Sequence, residues 1–182
     1  MTKFLLAVHV IAAIVAIGPV TVAASMFPPA ARKALATPGD PEALATVRLL
    51  HRICLVYAAV GATVPVFGFA TASDMGVLGD TWLIVSIVLT ALAAVVLAAL
   101  VLPRQSAILE GVAGTEGAQG VQGAQEGPGA QGAGDPGTAG NTGTAGGRAA
   151  TVRLAMFTGI FNLLWATVTV LMIIRPGSTT GA

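Results

Sequence analysis

Residues 4–27 read FLLAVHVIAAIVAIGPVTVAASMF, twenty-four consecutive positions without an Asp, Glu, Lys or Arg. A helix rises 1.5 Å per residue, so about 20 such residues cross the ~30 Å hydrocarbon core of a bilayer. Three more stretches have the same character: Ile53 to Ala72, Thr81 to Leu102, and Leu154 to Ile174. None contains a charged side chain. Lipid offers no partner to backbone N–H and C=O groups, so a segment that spans it alone must be helical. The fold class expected is all-α, a polytopic four-transmembrane-helix bundle.

Composition agrees. Charged residues make up 9% of the 182 positions and hydrophobic residues 55%, against roughly 25% charged in soluble domains. Mean hydropathy is +0.85. A net charge of +1 offers no field for nucleic acid. The single cysteine, Cys54, cannot form an intramolecular disulfide.

Working outward, Pro28 and Pro29 are expected to end the first span and Pro103 the third, because proline lacks the donor that continues a helix. Asp40-Pro41 has the pattern of an N-cap and first turn. The second helix is therefore expected to begin near Pro41 as a polar stalk. Gly61, Pro65 and Gly68 mark a bend in it. Trp82 is placed as an interfacial anchor. Lys3 ahead of an apolar run and Val22-Ala23-Ala24 resemble a signal peptide. The run is too long for one, and cleavage would translocate Arg32, Lys33, Arg48 and Arg52.

Charge sets the expected orientation. Four spans put both termini and the Ser73–Asp80 loop on one side, with Lys3 and Arg175. Arg32, Lys33, Arg48, Arg52, Arg104, Arg148 and Arg153 fall on the other. The positive-inside rule assigns those seven to the cytoplasm and both termini to the outside of a bacterial cytoplasmic membrane.

By this reading residues 1–102 hold the first three spans, 103–150 a cytoplasmic linker, and 151–182 the fourth span with a short tail. The linker has glycine at every third position from Gly111 to Gly123 and again from Gly134 to Gly146. Only Pro128 and Pro136 accompany that collagen-like period, so a disordered low-complexity coil is expected.

Polar side chains within apolar spans are the candidates for function. His9 has small neighbours on its helical face, and His51 lies at the mouth of the second helix. His51 shares a stripe with Cys54, Ala58, Gly61, Pro65, Gly68 and Ala72, spaced by three and four. Imidazole suits haem or a metal. The soft groups Met75 and Met172 fall near His9, and Met26, Cys54 and Met156 near His51, donors suited to copper(I). The two histidines lie ~20 Å apart along the membrane normal and cannot share one metal. Asn162 needs a partner, which Ser86 and Thr90 are placed to supply. Tyr57, Thr158, Thr167 and Thr169 complete the polar set.

No span contains a carboxylate or lysine for a proton relay, and no phosphate loop, HExxH or GxSxG motif occurs. Nothing points to an enzyme.

The stretches LLAVHVIAAIVAIGP (Leu5–Pro19) and RLLHRICLVYAAVG (Arg48–Gly61) resemble an uncharacterised bacterial family of small integral membrane proteins with four predicted helices. More distantly, an early first-helix histidine followed by small residues resembles the copper-resistance D type and the haem-binding membrane protoporphyrinogen oxidase type. The chain departs from the haem pattern in having no Trp after His9 and no basic residue within a span. The resemblance implies haem b or copper at His9 or His51. The residues themselves call for no cofactor. Three functions are then open: a non-enzymatic membrane component or subunit, a haem- or copper-binding protein, and a small-solute transporter or channel subunit. The partners expected are the lipid bilayer, further copies of the chain or other membrane subunits, and no nucleic acid.

Overall fold

The structure is a computed structural model that describes residues 2–125 and 140–176. Among the described residues every regular element is helical: α1 (Thr2–Ala36), α2 (Pro41–Gly61), α3 (Thr63–Met75), α4 (Thr81–Val95), a π-helical segment (Val96–Val101), α5 (Leu102–Gln125) and α6 (Gly140–Ile174). Four helical stretches, containing α1, α2–α3, α4–α5 and α6, are long and apolar enough to cross a membrane. Span 1 (α1) packs on span 2 (α2–α3) and span 4 (α6), and span 3 (α4–α5) packs on spans 2 and 4.

The core follows the small residues. Val20, Ala23, Ala24, Phe27, Ala31 and Ala34 of α1 are buried in one cluster with Ala43, Leu44, Val47, Leu50 and Cys54 of α2. Alanines at spacings of three and four let the two backbones approach closely, which compensates in contact area for small side chains. Much of the bulk apolar surface points away from this core: Ile14 is 68% exposed, and Leu163 and Ile173 face outward too. That distribution suits a lipid surround and not water.

The helix ends are partly as expected. Asp40 Oδ1 accepts from the amides of Glu42 and Ala43, the expected N-cap of α2, with Pro41 in the first turn. The second span breaks at Ala62, between Gly61 and Pro65. Trp82 is buried, donates to Asp80 Oδ2 at 3.0 Å, and carries Arg175 over its ring.

Two expected ends are wrong. Helix α1 runs through Pro28 and Pro29 to Ala36. Each proline removes one helical hydrogen bond, but Phe27, Ala31 and Ala34 beside them are buried against α2, and that packing holds the turn. Likewise helix continues past Pro103 to Gln125. The six-residue π segment Val96–Val101 lies just before it. Its wider turn makes room for a ring that would otherwise clash with the carbonyl four residues back. The glycine-rich segment is therefore helical at both flanks, in α5 and from Gly140 onward. The expected disordered linker otherwise falls on residues 126–139, which lie outside the described residues.

With 35 residues, α1 is ~52 Å long, well beyond the hydrocarbon thickness. The excess lies at the basic end, where Arg32, Arg48, Arg104 and Arg153 stand.

Candidate functional site

Both histidines form links between helices. His9, on α1, is buried, and its Nδ1 lies 3.1 Å from the carbonyl oxygen of Val64 on α3. A carbonyl only accepts, so Nδ1 carries the proton. The ring rests directly on α3 at Gly68: a Cβ there would meet His9 Cε1 at 2.9 Å. Only a residue without a side chain allows that approach. One end of the small stripe therefore does meet α1, with Gly61 against Ala16 and Ile17, and Gly68 against His9.

The other end of the stripe turns to α5. His51 Nδ1 is 3.1 Å from Gln105 Oε1, and its Nε2 is 3.4 Å from Ser106 Oγ. Gln105 is fully buried and donates from Nε2 to Cys54 Sγ at 3.5 Å. With the amide oriented that way, Oε1 accepts from Nδ1–H. The Gln105 carboxamide thus stands between imidazole and thiol and engages both. Ser106 also bonds the Leu102 carbonyl. At the same end Arg104 lies over the Phe157 ring, 4.1 Å from its centroid, and Arg32 Nε donates to Thr151 Oγ1.

Of the soft groups, Cys54 is joined to His51 through Gln105. Met26 and Met156 are each 55% exposed. Met75 closes α3 and Met172 lies near the end of α6, both half-buried, while His9 is held by Val64 and Gly68. Among the described residues no three His, Cys, Asp or Glu side chains are grouped to hold a metal ion.

Asn162 has a different partner from those expected. Its Nδ2 donates to Ser25 Oγ on α1 at 3.1 Å. Ser86 instead bonds the Trp82 carbonyl of its own helix. Thr167 and Thr169 do the same to Leu163 and Trp165. Although α4 and α6 pack together, the Asn162 face of α6 is turned to α1. Thr90 and Tyr57 are half-buried. Among the described residues the buried atoms Thr158 Oγ1, Asn162 Oδ1 and Trp165 Nε1 have no partner.

Gln105, Ser106 and Ser25 were not singled out in the sequence. The first two sit beyond Pro103, where the span was expected to stop. One signal could have found Gln105: Val101, Gln105, Ile108 and Val112 continue the face of Ala93 and Leu97 at spacings of three and four, and all are buried.

Comparison with protein-family models, with curated proteins and with solved structures finds no match for the chain.

Proposed function

We propose that this chain is a non-enzymatic, multi-pass component of a bacterial cytoplasmic membrane, acting as a subunit through helix contacts. Both termini face outward, and the seven basic residues of the other end lie in the cytoplasm. One observation carries the reading: the two intramembrane histidines, the residues best suited to chemistry, are engaged by the chain's own helices. His9 ties span 1 to span 2, and His51 ties span 2 to span 3. Interhelical hydrogen bonds of this kind average about 0.6 kcal/mol and fix which faces meet. What is left outside the bundle is an apolar surface that lipid, another copy or another membrane protein can cover.

The competing reading is haem b or copper at His9 or His51, as the resemblance to the copper-resistance D type implies. The pairing of His51 with Cys54 around Gln105 is what favours it. The test is the absorption spectrum and metal content of protein purified in mild detergent after growth with haem and copper supplied. A structural role gives a colourless protein without stoichiometric metal. A Soret band that shifts on reduction, or bound copper, lost in His9→Ala or His51→Ala, overturns it.

A further inference from the structure

A groove of about 370 Å³ opens sideways between α1 and α6. Pro28 and Arg32 line it on one side, and Thr158, Gly159 and Asn162 on the other. Sequence explains the gap. A Cβ added at Gly159 would meet nothing within 4 Å, and a half-buried alanine precedes the pair Met156-Phe157.

The walls hold unmet polar groups. Thr158 is 3% exposed, yet its hydroxyl has no partner. Asn162 uses Nδ2 on Ser25, and Oδ1 is left unpaired. Ser25 can donate as well as accept, so the carboxamide can turn over and present its amino group to the groove. At the mouth, Arg32 uses Nε on Thr151, and no carboxylate pairs with it among the described residues. From Arg32 to Ser25 is seven residues, so the polar lining descends ~10 Å from the guanidinium toward the apolar interior. Val22, three residues beyond Ser25, and Leu163, four beyond Gly159, extend the same two faces, and both are exposed.

A cation at the interface, donors below it and an apolar track below those follow the order of groups along a phospholipid. We propose that this groove binds one anionic phospholipid. Its phosphodiester sits on Arg32, its ester carbonyls accept from Thr158 and Asn162, and its chains lie along Val22 and Leu163. A soluble anion would use Arg32 but leave the deeper donors and the apolar track uncovered. Arg32 at the mouth disfavours head groups that carry their own cation. The site rests on the reading that the chain spans a membrane.

The test is native mass spectrometry of the full-length protein in mild detergent, with phosphatidylglycerol and phosphatidylcholine supplied in equal amounts. One retained phosphatidylglycerol is expected, preferred by about fivefold, the effect of roughly one basic residue near an anionic head group. Arg32→Gln removes the preference. Lys33→Gln keeps it, because Lys33 is exposed and does not line the groove. Far-UV circular dichroism of both variants confirms that helicity is kept. Equal retention of the two lipids by the native chain overturns the proposal. So does an equal loss in both variants, which makes the effect diffuse charge, or displacement by glycerol phosphate at matched concentration, which makes the ligand a soluble anion. Recovery of the chain in the soluble fraction of broken cells would instead overturn the membrane reading itself.

Discussion

Replacing Gly68 with alanine sets a methyl group 2.9 Å from His9 Cε1 and 3.3 Å from Nδ1. Carbon atoms prefer roughly 3.5–4.0 Å, so the ring must withdraw. The link to the Val64 carbonyl, at 3.1 Å, goes with it. Such a link in a membrane is worth about 0.6 kcal/mol on average and about 1.7 at most. Overpacking a close contact adds roughly 1–3 kcal/mol, and alanine's better helix propensity returns about 1. The expected net loss is about 1–2 kcal/mol. It is measured by titrating sodium dodecyl sulfate into protein held in a nonionic detergent and following tryptophan fluorescence. In a His9→Ala background the ring is gone. There Gly68→Ala becomes neutral or stabilises by up to about 1 kcal/mol. An equal cost in both backgrounds, or no cost in the native one, would refute the contact.

Other expectations follow from the same geometry. Gln105→Leu strips partners from both His51 and Cys54 and should destabilise by about 1–3 kcal/mol in the same titration; an unchanged midpoint would show that the carboxamide does not bridge them. Ser106→Ala, which removes one long contact to His51, should cost less than Gln105→Leu, and a larger cost would reverse that ranking. Asp40→Ala, which removes the N-cap of α2 outside the apolar core, should lower stability by about 1 kcal/mol, and Asp40→Asn, which keeps the acceptor, should restore most of it. Arg104→Gln should cost about 0.5–1 kcal/mol through loss of the contact with Phe157. That deficit should vanish in a Phe157→Leu background.

The spans were legible because the constraint behind them is severe. A run such as Phe4–Phe27 has no other way to satisfy its backbone in lipid. Asp40-Pro41 was legible because a cap is a local device. The prolines misled for the opposite reason. Their cost is local, but Phe27, Ala31 and Ala34 are held by contacts with residues on another helix. Packing decided the outcome, and packing is invisible in a single segment. The same applies to Asn162. That it needs a partner follows from its side chain, whereas which helix its face meets does not, and Ser25 lies 137 positions away. His9 and His51 stood out as polar groups in apolar runs. Their partners did not, because one is a backbone carbonyl and the others were hidden by the false stop at Pro103. Gly68 read as a bend-former on the small stripe, and in the structure its role is to admit an imidazole ring.

The most direct test of the architecture is the sidedness of the two described loops. In a Cys54→Ser background, Pro38→Cys marks the loop between α1 and α2, and Gly79→Cys marks the loop between α3 and α4. A membrane-impermeant maleimide is applied to intact spheroplasts and to inside-out vesicles. Labelling of Gly79→Cys in spheroplasts and of Pro38→Cys in inverted vesicles is the result expected of spans with the basic end in the cytoplasm. Labelling of both positions from one side, or the reverse pattern, would contradict it.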